Sequence, residues 1–178
     1  MNHDDHVALL KDGIAAPGGV WADFGAGSGA FTLALAELIG VQGSIYAVDR
    51  DPHALDEQAR RLRQRFPALH VQHMAADFTQ PLDLPPLDGI VMANALHFVR
   101  AKNPLLQRLR AYLKPGGRLL LVEYNVDTGN RWVPYPLSYS TWQEIAQHNG
   151  FAETRKLAAR PSRFLGEIYS ALSFNPAR

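Results

Sequence analysis

The chain has 178 residues, of which 47% are hydrophobic and 20% are charged, and its formal net charge is +1. This length suits one domain with a substantial core, and we expect residues 1–178 to form a single domain. The sequence contains no cysteine, which excludes disulfides and cysteine-ligated zinc, and it has no apolar run of the roughly 18 residues that a membrane span needs.

Apolar runs alternate with segments of helical spacing along most of the chain. The first apolar run, Val20–Phe24, ends at three alternating glycines and is predicted to be a buried strand. The sequence then predicts helix, strand, helix, strand, strand, helix and strand over residues 29–39, 44–48, 52–66, 69–74, 88–94, 103–113 and 118–124. A further helix, capped by Ser140 or Thr141, extends to about His148. The remainder predicts two strands joined around residues 159–163.

The alternation of strands and helices is typical of a parallel sheet covered by helices on both faces. Right-handed crossovers then give a doubly wound α/β fold, in which ligands bind at the carboxyl ends of the strands. The glycine turn after the first predicted strand lies at that edge. We therefore predict a binding site around Gly25, Gly27 and Gly29.

The glycine turn fits two kinds of nucleoside ligand. Gly25-x-Gly27-x-x-Ala30 satisfies the dinucleotide fingerprint, and Asp49 lies 24 residues beyond Gly25. Asp23-x-Gly25-x-Gly27-x-Gly29 instead places an acid before three alternating glycines. Since the fingerprint alone is a weak signal, the flanking motifs must decide between the two.

Five short motifs follow one another between about Trp21 and Tyr124. In chain order they are Asp23-Phe-Gly-Ala-Gly-Ser-Gly29, Val48-Asp49-Arg50, Ala76-Asp77-Phe78, Met92-Ala-Asn-Ala-Leu-His97 and Leu113-Lys-Pro-Gly-Gly-Arg118. In this order and spacing the sequence resembles the class I S-adenosylmethionine (SAM) dependent methyltransferases. A dehydrogenase has no reason to carry Asp77 or the Lys-Pro-Gly-Gly turn at these places, so a nicotinamide enzyme is the less favoured alternative.

The resemblance implies a Rossmann-like fold with a mostly parallel, seven-stranded sheet, helices on both faces and an antiparallel C-terminal strand. It also implies SAM as the methyl donor and S-adenosylhomocysteine as the product. The residues that it assigns to cofactor binding are Asp23, Gly25, Gly27, Gly29, Asp49, Arg50, Asp77, Phe78 and Asn94. The backbone around Gly25 and the backbone carbonyl of Asn94 are assigned to the methionine end. Asp23 has an alternative role as a turn cap.

The nucleoside end is assigned to the second and third motifs. The carboxylate of Asp49 is suited to accept from two neighbouring ribose hydroxyls. By resemblance, Asp77 accepts from the exocyclic amine of adenine and Phe78 bonds the ring through its backbone N–H. Arg50 stands where the family often has an apolar residue, and its guanidinium is a candidate to stack on adenine. The alternatives are that Asp49 is a solvent-facing acid and that Asp77 closes an Asx turn.

His97 is the candidate catalytic residue, because it follows Asn94 by three positions and is predicted to point into the cleft. A hydroxyl or carbon acceptor needs a base, and a neutral imidazole can take a proton at physiological pH. Glu123 and Tyr124, at the end of the fifth predicted strand, are the next candidates for the base. The alternative is that His97 only shapes the pocket.

No metal site is predicted. The run His3, Asp4, Asp5, His6 is rich in metal-ligating types, but adjacent side chains at a mobile terminus do not converge on one ion. The near-neutral net charge predicts no nucleic-acid or membrane partner, and the acidic, polar N-terminus predicts a cytoplasmic protein. The four arginines of the second helix are interpreted as a solvated face.

The methyl acceptor is the least determined part of the prediction. The fourth motif lacks the [Asn/Asp]-Pro-Pro-[Tyr/Phe] pattern, which counts against methylation of nucleobase or glutamine nitrogens. We expect a small organic acceptor under a small lid, formed by residues 1–16 and 125–139 or by a second subunit of a homo-oligomer. The four aromatic residues at Trp132, Tyr135, Tyr139 and Trp142 fit either a substrate wall or loop packing. An RNA or protein methyltransferase and a SAM-fold protein without catalysis stay open as alternatives.

Overall fold

A computed structural model describes residues 1–177. These residues form a seven-stranded sheet in the order β3-β2-β1-β4-β5-β7-β6. The strands are β1 (Gly19–Phe24), β2 (Gly43–Asp49), β3 (His70–Ala75), β4 (Leu87–Ala93), β5 (Leu113–Tyr124), β6 (Ala152–Ser162) and β7 (Gly166–Phe174). The helices are α1 (His3–Leu10), α2 (Ala30–Ile39), α3 (Pro52–Arg65), α4 (Lys102–Tyr112) and α5 (Tyr139–His148), with short 3₁₀ turns at Lys11–Gly13 and Leu96–Phe98.

The strand directions confirm the predicted sheet. β1 to β5 are mutually parallel, β7 pairs antiparallel with β5, and β6 pairs antiparallel with β7. From β1 the chain proceeds outward to β2 and β3, then returns to place β4 on the other side of β1. The carboxyl ends of β1 and β4 therefore flank the point where the strand order reverses, which is where doubly wound folds bind ligands.

Apolar layers cover both faces of the sheet. The central strands β1 and β4 are therefore buried on both sides. Helices α1, α2 and α3 cover one face with, among others, Leu9, Leu10, Leu35, Ile39, Leu55 and Leu62. Helices α4 and α5 cover the other face with Leu105, Leu106, Leu109, Trp142 and Ala146. The helices hold the strand ends in place, so the site at the carboxyl edge rests on a rigid frame.

The expectation of a mobile N-terminus is wrong. Asn2 and Asp5 form a capping box, in which the Asn2 side chain accepts from the Asp5 N–H at 2.9 Å and the Asp5 carboxylate accepts from the Asn2 N–H at 3.0 Å. Leu9 and Leu10 are fully buried against the core. The capping box and this burial together stabilise a helix of only eight residues.

Two predicted boundaries near the C-terminus also need correction. The N-cap of α5 is Ser138, whose hydroxyl accepts from the N–H of Thr141 at 3.3 Å, and neither Ser140 nor Thr141 occupies that position. The β6–β7 turn lies at residues 163–165, not at 159–163. Pro161 is compatible with β6 because β6 is an edge strand, where the absence of an N–H need not cost a ladder hydrogen bond.

Candidate active site

The glycine turn after β1 has left-handed backbone at each glycine, with φ of 79° at Gly25, 50° at Gly27 and 93° at Gly29. A Cβ at Gly25 would lie 2.6 Å from the side chain of Ala95, so that position is closed by packing. A Cβ at Gly27 would meet nothing within 4 Å. The left-handed backbone, and not packing, therefore favours glycine at position 27.

Asp49, at the end of β2, fixes the shape of this turn. Its Oδ2 accepts from the N–H of Gly27 at 2.8 Å, and its Oδ1 accepts from the N–H of Asp51 at 2.9 Å. Asp49 is thus not simply a solvent-facing acid. Each carboxylate oxygen has a further lone pair, so the carboxylate keeps the capacity to accept from ribose hydroxyls.

Six of the nine predicted cofactor residues line one cavity of about 340 Å³, here called the Asp49 cavity. Its lining consists of Gly25, Asp49, Arg50, Asp77, Phe78, Thr79, Asn94, Ala95, Phe98 and Val99. Four separate motifs meet here although they are far apart in sequence. The size and mixed lining suit a flat nucleoside.

A smaller cavity of about 270 Å³, here called the Asp23 cavity, adjoins it. Asp23 and Gly29 line it, and Gly25 and Asn94 line both cavities. The Asp23 cavity also receives Met1 and His6 from the N-terminal segment. Of the predicted cofactor residues, Gly27 alone lines neither cavity, and it takes part through its bond to Asp49.

Asp77 forms an Asx turn, as its alternative interpretation predicts. Its Oδ1 accepts from the N–H of Thr79 at 2.8 Å and from the Thr79 hydroxyl at 2.7 Å. These bonds lower the pKa of Asp77, so the exposed carboxylate stays ionised. Because both bonds use Oδ1, the turn leaves Oδ2 available to accept a bond from a ligand in the Asp49 cavity.

Asn94, where the two cavities meet, carries two unusual features. Its φ is 51°, a left-handed conformation that is uncommon for a residue other than glycine. Its side-chain Oδ1 is buried and has no hydrogen-bond partner among residues 1–177. A buried acceptor without a donor costs about 1–3 kcal/mol, and the ammonium of SAM supplies donors. The sequence predicted a role for the backbone carbonyl of Asn94 and none for this side-chain oxygen.

Asp23 is 1% exposed and accepts from the Thr32 hydroxyl at 2.6 Å. Burial, assisted by the nearby charge of Asp49, raises the pKa of Asp23 to about 7. A cation in the Asp23 cavity would favour the ionised form. The carboxylate of Asp23 in this cavity therefore fits the ammonium group at the methionine end of SAM.

His97 and Glu123 form a buried pair at the ends of β4 and β5. His97 Nδ1 lies 2.7 Å from Glu123 Oε2, and the His97 backbone N–H donates to Glu123 Oε1 at 3.1 Å. Glu123 is fully buried and His97 is 3% exposed. The carboxylate therefore fixes both the backbone and the ring of His97.

The His97 ring lies deeper than predicted, because it lines neither the Asp49 cavity nor the Asp23 cavity. It packs between Phe98, at 4.3 Å between ring centroids, and Tyr124, at 6.1 Å. Within residues 1–177 no group bonds its Nε2, yet this atom is not among the fully buried atoms without a partner. The small exposed part of the ring therefore includes Nε2.

The segment 125–138 packs beside this pair as part of the predicted lid. The N–H of Tyr135 donates to the carbonyl of His97 at 3.0 Å, and Lys102 Nζ donates to the carbonyl of Tyr135 at 2.9 Å. Trp132 and Tyr135 are exposed, whereas Trp142 is fully buried. The aromatic residues of this region thus divide between surface and core.

Residues 1–177 contain neither a cluster of metal ligands nor a helix that could span a membrane. No group of three or more histidine, aspartate or glutamate side chains in residues 1–177 is placed to hold a metal ion. None of the helices described here combines the length and apolar character needed to cross a membrane.

Comparison with known proteins identifies the class. Residues 22–119 match a family model described as a methyltransferase domain. The chain therefore belongs to this family, and the SAM-dependent methyltransferases are the class that its fold and site define. The predicted family and cofactor are confirmed, and the nicotinamide alternative is set aside.

Curated relatives show how far the similarity extends. A ubiquinone/menaquinone biosynthesis C-methyltransferase from Azotobacter vinelandii is 33% identical over 58% of this chain and 41% of its own length. A 2-phytyl-1,4-naphtoquinone methyltransferase from Trichormus variabilis is 30% identical over 62% and 49%. A reducing polyketide synthase from a Penicillium species is 26% identical over 79% and 7%. The chain thus spans about half or less of the length of these relatives.

Solved structures support the fold. A SAM-dependent methyltransferase from Aquifex aeolicus has a TM-score of 0.75 at 19% identity, covering 96% of this chain and 89% of that one. The N-methyltransferase NodS from Bradyrhizobium japonicum has a TM-score of 0.76 at 19% identity, covering 97% and 95%. At this identity the likeness concerns the fold alone.

Proposed function

We propose that this chain transfers the methyl group of SAM to an acidic carbon of a small organic acceptor, with His97 as the base. The observation that carries the proposal is the buried pair of His97 and Glu123. A pocket-shaping histidine has no need of a fully buried carboxylate that is bonded to both its ring and its backbone. Such a carboxylate is costly to bury, and its use as the partner of a proton-accepting imidazole offsets that cost.

The pair determines which ring nitrogen acts. Glu123 has no proton to donate when ionised, so the bond of 2.7 Å requires that His97 Nδ1 carries the hydrogen. Nε2 then keeps its lone pair and accepts the proton that leaves the acceptor carbon. The carboxylate of Glu123 stabilises the imidazolium that forms, as in other acid–histidine pairs.

Two neighbouring groups do not compete for this role. Burial and the charge of Glu123 raise the pKa of Tyr124, so its phenol stays protonated at neutral pH. Burial lowers the pKa of Lys102, but the charge of Glu123 opposes that shift, and Nζ acts as a donor to the carbonyls of Val99 and Tyr135 at 2.9 Å each. These two observations support His97 as the base.

The residues that would hold the cofactor line the Asp49 and Asp23 cavities, with Asp49 and Asp77 toward the nucleoside and Asp23 and Asn94 toward the methionine end. When bound, SAM supplies the activated methyl group. The protein supplies orientation, exclusion of water and a place for the proton.

A small acceptor is supported by the relatives and by the surface. The printed names of the Azotobacter and Trichormus relatives refer to quinones, and one specifies transfer to carbon. Two of the four arginines of α3 are engaged within the fold, since Arg61 donates to the carbonyl of Ser28 and Arg65 pairs with Glu37. An RNA acceptor has less support.

Transfer of a ¹³C-labelled methyl group from SAM to the methyl ester of 4,6-dioxoheptanoate tests the proposal. This neutral diketone has an acidic carbon between its two carbonyls. We expect a new carbon–methyl signal in the NMR spectrum of the product. Methylation of oxygen or nitrogen acceptors only would refute carbon transfer, and SAM binding without any transfer would favour the non-catalytic alternative.

A further inference from the structure

A third cavity, of about 640 Å³, lies beside the buried pair of His97 and Glu123, here called the catalytic pair. This cavity is here called the Tyr124 cavity. Its lining includes Asp5, Tyr124, Arg160, Arg163, Phe164 and Ile168. Met1 lines both this cavity and the Asp23 cavity, so the two adjoin. None of the predicted cofactor residues lines it.

One wall of the Tyr124 cavity continues from the catalytic pair to the surface through aromatic contacts. Tyr124 lies 6.1 Å from the His97 ring and 5.8 Å from the Phe164 ring, measured between centroids. Phe164 in turn lies 6.3 Å from Trp132. Phe164 is 49% exposed and Trp132 is 68% exposed. Exposed aromatic rings that continue a cavity wall suit an apolar or flat ligand body.

The rim of the Tyr124 cavity is cationic. Arg160 is held in place, because Nε donates to Asp5 Oδ1 at 3.4 Å and Nη1 donates to the carbonyl of Ala159 at 3.0 Å. A guanidinium has five N–H donors, so others remain for a ligand. Arg163 is exposed and forms no ion pair with the acids of residues 1–177. Two guanidiniums against the carboxylate of Asp5 leave an excess of positive charge.

We propose that the Tyr124 cavity binds the methyl acceptor, and that the acceptor carries an oxyanion, a carboxylate or a phosphate, at the end remote from the methylated carbon. This inference rests on the proposed function, since Tyr124 contacts the base. The aromatic wall contacts the apolar body of the acceptor. Arg163, together with Arg160, binds the anion. Guanidinium groups match the planar geometry of carboxylates and the charge of phosphates.

Binding of 4,6-dioxoheptanoate and of its neutral methyl ester to the protein loaded with S-adenosylhomocysteine tests the inference without turnover. A change in tryptophan fluorescence on binding is assigned to Trp132, because its ring lies 6.3 Å from that of Phe164, which lines the cavity, whereas Trp21 and Trp142 lie in the core. At low salt we expect the carboxylate to bind about tenfold more tightly than the ester, the effect of about one charge-assisted hydrogen bond.

The variants Arg163→Gln and Arg160→Gln should each reduce this preference for the carboxylate to below about threefold. Arg155→Gln is the matched control, since Arg155 is exposed, lies on β6 together with Arg160, and does not line the cavity. In the control the preference should be unchanged. Stronger competition by inorganic phosphate than by acetate would assign the oxyanion to a phosphate, and equal competition would assign it to a carboxylate.

Equal binding of acid and ester, no detectable binding of the acid, or a preference that survives both arginine substitutions would overturn the inference. Failure of the proposed function gives a different result. If the wild-type protein methylates the carbon of the neutral ester but shows no preference for the acid, then carbon transfer stands and the anion site is refuted. If the acid is preferred in binding but neither compound is methylated, then the anion site stands and carbon transfer is refuted.

Discussion

At the carboxyl edge of the sheet, the Asp49 and Asp23 cavities are lined mainly by residues at or just beyond the ends of β1, β2, β3 and β4. The Tyr124 cavity instead joins the end of β5 to α1 and the β6–β7 hairpin. In the first two cavities, the proposed cofactor side, the Gly27 N–H donates to Asp49 across 22 positions of the chain. In the Tyr124 cavity, the proposed acceptor side, Arg160 pairs with Asp5 across 155 positions. One side is therefore built from short motifs within neighbouring βα units, and the other from contacts between distant parts of the chain.

This difference has a functional consequence. The cofactor side presents backbone and short acidic side chains that suit one constant ligand. The acceptor side uses exposed aromatic and arginine side chains on a hairpin, where changes of sequence leave the parallel sheet intact. If the two sides act independently, variants on one side should leave the binding function of the other unchanged. Four predictions test that separation.

The largest effect should come from His97→Ala, which removes the base. We expect turnover to fall by about 10²–10⁴, while SAM affinity measured by calorimetry changes little. His97→Asn should not restore turnover, because an amide does not accept a proton in this pH range. A turnover within a few-fold of wild type, with rescue by asparagine, would assign His97 to shaping the pocket.

Asp23→Asn should change how stability depends on pH. In the folded protein the pKa of Asp23 is raised to about 7, from the ordinary value of 3.8. The folded state therefore keeps a proton that the unfolded chain releases, so this group stabilises the fold at low pH and its contribution is lost as pH rises from about 4 to about 7. At about 1.4 kcal/mol per pKa unit, the lost contribution is a few kcal/mol.

Urea unfolding of wild type and Asp23→Asn at pH 5 and pH 8 measures this contribution. As pH rises from 5 to 8, the free energy of unfolding of the wild type should fall relative to that of the asparagine variant. Equal pH dependence in the two proteins would show that Asp23 is ionised throughout and that its burial is compensated elsewhere.

Asp49→Ala should weaken SAM binding by at least about tenfold, because it removes an acceptor for ribose and loosens the turn at Gly27. Asp56→Ala, an exposed acid on α3, is the matched control and should retain affinity. Thermal unfolding separates a local loss from global destabilisation. Unchanged SAM affinity in a folded Asp49→Ala protein would remove Asp49 from the cofactor site.

The smallest effect is expected at α3. Replacing Arg60 and Arg63 by glutamine should alter neither SAM affinity nor methyl transfer, because both side chains are exposed and line none of the three cavities. Any RNA binding by the wild type should be lost by about 200 mM salt, as expected for a few phosphate contacts. Tight binding at that salt concentration, abolished by the double substitution, would identify α3 as an RNA-docking surface.

The elements that sequence predicted well are those whose pattern is local. Helix α3 begins at Pro52 and the strand β2 ends at Asp49, within a residue of their predicted limits. Helix α1 was missed because its stability depends on burying Leu9 and Leu10 in a core contributed by other segments. The β6–β7 turn lies beyond its predicted position because β6 is an edge strand, which accommodates Pro161 within the strand.

Apart from α1, the sequence by itself determined the order of strands and helices. Through their resemblance to a known family, its short motifs also indicated the family and the cofactor, because each motif is contiguous in the chain. Only the tertiary structure decided that Glu123 is the partner of His97, that the Oδ1 of Asn94 lacks a donor, and that Arg160 and Arg163 share a cavity with Tyr124. These relations join side chains across separate strands and depend on burial. No periodicity or spacing in the chain encodes a distance between such residues, so they appear only once the sheet has brought its strand ends together.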